Sequence, residues 1–117
     1  MEINTINPNT VFKVAHFSQG MRVQGGDLLL TSGQVALDAD GRLVGQNDLR
    51  AQAERAFANV AHILQAAGGS FEHVVKLTIF VVNYQPADRQ TIVEVLNQHI
   101  NPAAPPANSL IGVQALA

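Results

Sequence analysis

The chain has 117 residues, room for one domain with its own core and too few for two. Hydrophobic residues make up 47% and charged residues only 14%, an apolar balance for a small monomer that points to a buried interface. The net charge is −2 with no basic run, so the electrostatic footprint of nucleic-acid binding is missing, and the absence of cysteine excludes disulfides, a cysteine nucleophile and thiolate metal sites. Met1-Glu2-Ile3 begins no signal peptide, and no apolar run approaches the ~20 residues of a membrane span. A soluble, cytoplasmic, single-domain protein over residues 1–117 is expected, with no membrane partner.

In chain order, Ile3 to Asn7 suits a short edge strand that Pro8 ends. Phe12, Val14 and Phe17 alternate loosely around His16 without deciding an element. Met21 to Val23, the Gly25-Gly26 pair and Asp27 to Val35 read as a hairpin, the glycines supplying positive φ at the turn. Leu28-Leu29-Leu30 is apolar on both faces and predicts a strand inside the sheet, interrupted by Ser32-Gly33-Gln34. Asp38 to Gly41 is a turn.

The chain is organised around Asp48 to Ala67. Leu49, Ala53, Ala56, Phe57, Val60, Ala61, Leu64 and Ala67 recur at steps of three and four, which puts one apolar stripe on one helix face. Asn47 or Asp48 can cap its start, and Gly68-Gly69 stops it. The strongest strand follows at Val74 to Val82: Val75, Leu77, Ile79 and Val81 point one way, Lys76, Thr78, Phe80 and Val82 the other. Pro86 suits the first turn of a second helix with Ile92, Val93, Leu96 and Ile100 as its stripe, ended by Asn101-Pro102. Ser109 to Leu116 predicts a last strand. One sheet with two helices on one face follows, and its other face, carrying Phe80 and Val82, needs cover from self-association.

Isolated chemistry is sparse. His62, His73 and His99 form no metal-ligand spacing, so no metal is expected. At His99 the expected role is a contact with the helix dipole. His16 abuts Phe17-Ser18-Gln19-Gly20, but Ser18 lacks the first glycine of a nucleophile elbow and no strand precedes it.

Five motifs in order carry more. Phe17-Ser18-Gln19-Gly20, Thr31-Ser32-Gly33-Gln34, the helix end Ala66-Ala67-Gly68, Val74 to Phe80, and Pro106-Ala107-Asn108-Ser109 occur in the order and spacing of the YjgF/RidA family, and the chain resembles that family over nearly its whole length. The family is also described as L-PSP endoribonuclease-like or translation inhibitor. The resemblance implies an α+β, chorismate-mutase-like fold with a mixed sheet, a homotrimer, and ligand clefts between subunits. It implies an enzyme without a cofactor that hydrolyses reactive enamines and imines, made from amino acids, to ketoacids and ammonia. The implied ligand, small and carboxylate-bearing, falls to Phe17, Ser32, Gly33, Gln34, Asn108 and Ser109.

The chain departs from the family at several of these positions. The family arginine, a bidentate fork for the substrate carboxylate, is Asn108 here, and an amide carries no charge. The family tyrosine is Phe17, its cysteine is Leu110, and its asparagine early in the second helix falls near Thr91 or Val93. No catalytic residue can therefore be assigned, and arginine-dependent deaminase activity is not expected in its standard form. Family members continue into a further strand bearing an acidic residue; without it, an exposed edge is expected. A non-catalytic metabolite-binding or regulatory trimer is the first alternative. A ribonuclease is the second, disfavoured by the lack of clustered Lys and Arg.

Overall fold

The long helix forms as α1, Leu49–Ala66, in a computed structural model that describes residues 1–117. Asp48 is its N-cap: the carboxylate accepts the Ala51 N–H at 3.1 Å, answering one of the free donors of the first turn. At the other end Gly68 takes φ +82°, the Gly69 N–H donates to Leu64 O at 2.8 Å and the Gly68 N–H to Gln65 O at 3.0 Å. That crossed pair satisfies two orphan carbonyls and needs the left-handed residue between them, which glycine provides.

Strand β1 (Glu2–Ile6) pairs antiparallel with β2 (Gly20–Gln24), in register from Glu2↔Gln24 to Ile6↔Gly20. Strand β3 (Lys76–Val82) pairs parallel with β4 (Ala107–Val113), from Lys76↔Ala107 to Val82↔Val113. Helix α2 (Asp88–Asn97) makes the crossover that two parallel neighbours require. One parallel bridge, Ser18↔Ala107, ties the segment before β2 to the start of β4.

The core lies between the two helices and one face of β3. Ala53, Phe57 and Leu64 of α1 meet Ile92, Val95 and Leu96 of α2, with Val81 beneath and Leu77, Ile79 and Leu110 packed at its margin. Val95 and Leu96 are completely buried. His99, just beyond α2, stacks on Phe57 (centroids 5.4 Å apart) and tilts against Phe71 (4.9 Å). Packing among aromatics, rather than the helix dipole, explains this histidine, and desolvation lowers its pKa. Arg50 of α1 and Glu94 of α2 form an ion pair across the outer edge of the helices.

Two expectations change. The single mixed sheet is resolved as two two-stranded sheets, and no strand forms over 27–35. Gly25 and Gly26 do take positive φ (+74° and +82°), but the segment after them pairs with no other strand of the chain. A strand exists only where a partner backbone answers its N–H and C=O groups. Leu28 and Leu30 are consequently 82% and 80% exposed. The expected bare face does appear on β3, where Phe80 and Val82 are exposed while Leu77, Ile79 and Val81 turn toward the helices. In α2 the fully buried position is Val95, and Val93 is only partly covered.

Candidate functional site

Ser18 is the joint from which the site is built. It is 1% exposed; its hydroxyl donates to Pro105 O at 2.5 Å and its N–H to Pro106 O at 3.1 Å. These bonds hold residues 16–18 against the beginning of β4, which brings Phe17 next to Asn108. Between that junction and α2 lies a cavity of about 310 Å³. Phe17, Tyr84, Leu110 and the α2 residues Ile92, Val93 and Leu96 give it apolar walls. Besides the Tyr84 phenol, its polar groups are His16, Arg89 and Asn108, and no acidic residue lines it.

The electrostatics of these three groups follow from their surroundings. Burial, and then the nearby Arg89 guanidinium, lower the pKa of His16, so the ring stays neutral at neutral pH and can accept a proton. The ring also meets Phe17 edge-on, with centroids 5.2 Å apart. The Asn108 Oδ1 is buried and has no hydrogen-bond partner. A buried acceptor left open costs free energy, and a ligand N–H or O–H would remove that cost.

The sequence-derived candidates separate into groups. Phe17 and Asn108 line this cavity. Gly33 and Gln34 line a second concavity of about 440 Å³ against α1, beside Arg55, Asn59 and His62. There the polar side chains are engaged: Arg55 Nε donates to Leu37 O at 3.1 Å, and Asn59 Nδ2 to Val35 O and Leu37 O at 3.1 and 3.0 Å. They pin the 35–37 segment to α1. Ser32 offers its carbonyl to Gln34 Nε2 at 3.4 Å, and Ser109 Oγ accepts from Lys76 Nζ at 2.9 Å; neither lines a described cavity. No cluster of three His, Asp or Glu side chains could hold a metal. His73 has a local task, its Nδ1 accepting the Ser70 N–H at the 3-10 turn Phe71–His73.

Sequence reasoning passed over Tyr84 and Arg89 and left His16 undecided. His16 carried a signal, since it immediately precedes a matched motif. Arg89 carried none beyond its place in the first turn of α2.

Two helices over a parallel β3–β4 pair, with a small apolar-walled cavity tipped by amide, imidazole and guanidinium, make an α+β domain with a candidate ligand site. The chain belongs to the family described as Endoribonuclease L-PSP, whose model matches residues 8–117. Protein DfrA of Myxococcus xanthus is 36% identical over 88% of this chain and 76% of its own length. A 2-iminobutanoate/2-iminopropanoate deaminase of Dermatophagoides farinae is 28% identical over 88% of this chain and 77% of its own. Among solved structures, a protein of unknown function of the conserved Rid family, YyfB from Yersinia pestis, superposes with TM-score 0.94 at 40% identity, covering 100% of this chain and 90% of that one. E. coli TdcF with bound serine superposes with TM-score 0.65 at 30% identity, covering 94% and 82%. No helix is long and apolar enough to cross a membrane.

Proposed function

We propose that this protein binds small amino-acid-derived imines or enamines in the cavity between Phe17, α2 and Asn108, and hydrolyses them to a carbonyl compound and ammonia without a charge at position 108. The observation that carries the proposal is the open Asn108 Oδ1, an acceptor suited to the N–H of an imine or enamine. In hydrolysis a water adds to the carbon of the C=N bond, and the nitrogen leaves as ammonia. His16, neutral and beside the cavity, is the group that can take the proton of that water. The deaminase name of one relative and the serine bound to TdcF support a small nitrogen-bearing ligand.

The active unit in this proposal is a trimer. Phe80, Val82, Ile111 and Leu28 to Leu30 expose apolar surface that a second copy would cover, which supports the assembly expected from the family resemblance. Light scattering should give three times the 12.5 kDa chain mass, and Phe80→Glu should dissociate the assembly without unfolding the chain. A stable monomer at micromolar concentration would refute it. The ribonuclease reading has less support, because the cavity offers only one guanidinium and the chain no clustered Lys and Arg.

An amino-acid oxidase can supply a 2-imino acid in situ, with ketoacid release followed in the presence and absence of this protein. Acceleration is expected, reduced roughly a hundredfold or more in His16→Gln. Ketoacid binding without acceleration would favour the metabolite-binding alternative. Neither binding nor acceleration would end both readings of the cavity.

A further inference from the structure

The charges of α2 point to a specificity device at the cavity mouth. The helix carries two acids and one base, Asp88, Glu94 and Arg89. Both acids are engaged elsewhere. Asp88 Oδ2 accepts the Gln85 N–H at 2.8 Å, closing the turn that leads into the helix. Glu94 accepts from Arg50 and from Gln90 Nε2. The chain's two ion pairs, Arg42–Asp40 and Arg50–Glu94, leave Arg89 without a carboxylate partner. Its guanidinium nevertheless lies close enough to His16 to disfavour protonation of that ring, and it lines the same cavity as Asn108.

The cavity therefore has a sign. The chain as a whole is negative, at −2, yet this concavity presents one full positive charge, one neutral imidazole and no acid. Arg89 also sits in the first turn of α2, where the positive end of the helix dipole adds to its field. Across from it, β4 offers an open acceptor and no cation. The two polar ends differ: one wants negative charge, the other wants a donor.

We infer that Arg89 is the anion-binding residue of this cavity, holding the carboxylate of a small 2-imino, 2-amino or 2-keto acid at the α2 end while the 2-substituent faces Asn108. The inference rests on the assignment of the cavity as the ligand site and adds the group that selects the ligand and sets its orientation. A planar guanidinium matches a carboxylate through two parallel N–H···O bonds, and the apolar walls of Ile92 and Val93 suit a short aliphatic side chain. The same fork can take two oxygens of a phosphate, so inorganic phosphate is the competitor in the test.

The test is calorimetric titration of the intact protein with pyruvate and with its uncharged amide, pyruvamide, in wild type and Arg89→Gln, with Arg89→Lys as the charge-conserving control. Wild type should prefer the carboxylate by roughly ten- to a hundredfold, the worth of one charged hydrogen-bonding partner. Arg89→Gln should erase the preference while leaving pyruvamide binding and the melting temperature in place, and Arg89→Lys should retain part of it. A preference that survives in Arg89→Gln overturns the inference. Equal binding of pyruvate and pyruvamide by wild type also overturns it, while leaving the cavity as the ligand site. Binding of neither by any variant overturns the cavity assignment itself. Inorganic phosphate that displaces pyruvate at equal concentration overturns the choice of a carboxylate.

Discussion

Ser18→Ala isolates the joint on which the cavity depends. The substitution removes one buried hydroxyl and leaves Pro105 O, at the foot of β4, without its donor. An orphaned buried acceptor costs about 1–3 kcal/mol. Unfolding entropy of ~2.1 cal/mol/K per residue gives ~0.25 kcal/mol/K for a chain of 117 residues. The melting temperature should therefore fall by about 4–12 °C, read by circular dichroism or scanning calorimetry. Ser109→Ala is the matched control. It removes a hydroxyl bonded only to Lys76 Nζ on the exposed side, and its effect should stay within about 0.5 kcal/mol. Because Ser18 also sets Phe17 beside Asn108, Ser18→Ala should weaken ketoacid binding as well. Equal melting temperatures for the two variants would refute the reasoning, since they would show that the Ser18 hydroxyl is not a buried, bonded group.

Gly112→Ala should destabilise the domain by about 1–3 kcal/mol in urea titration, because an added Cβ would stand 2.8 Å from the Tyr84 Cβ, which is fixed to backbone and cannot swing away. The same change should lower ligand affinity, since Tyr84 is a cavity wall. His99 gives a pH dependence whose sign is set by desolvation, which lowers its pKa in the fold. Its stabilising contribution is fully present above the unfolded value of 6.5 and is lost as pH falls through that value toward the folded one. The melting temperature should thus decline from pH 7.5 to 5.5, and His99→Phe should flatten part of that decline. His16, lowered in the same direction, contributes with the same sign.

Much of this protein was legible wherever local chemistry decides the outcome. The stripe from Leu49 to Leu64, the Asp48 cap and the glycine stop defined α1, because each acts within one or two helical turns. The alternation from Lys76 to Val82 told which side chains face the helices, since a strand has a period of two whatever it pairs with. Phe17 and Asn108, singled out by the matched motifs, line one cavity, whereas Gly33 and Gln34 line another.

Other features depend on elements distant in the chain. Leu28 to Leu30 are apolar enough for a buried strand, yet a strand needs a backbone partner, and no strand of the chain pairs with residues 27–35. The same apolar run therefore lies exposed. Which of Val93 and Val95 would be buried followed from how α2 rolls against α1, because the periodic pattern alone allows either within one turn. Arg89 and His16 lie 73 positions apart and share no motif. They meet because the Ser18 bonds draw residues 16–18 to β4 while the crossover lays α2 alongside. Sequence period determines which face of an element is apolar; only packing decides what that face meets, and so which charges are left to address a ligand.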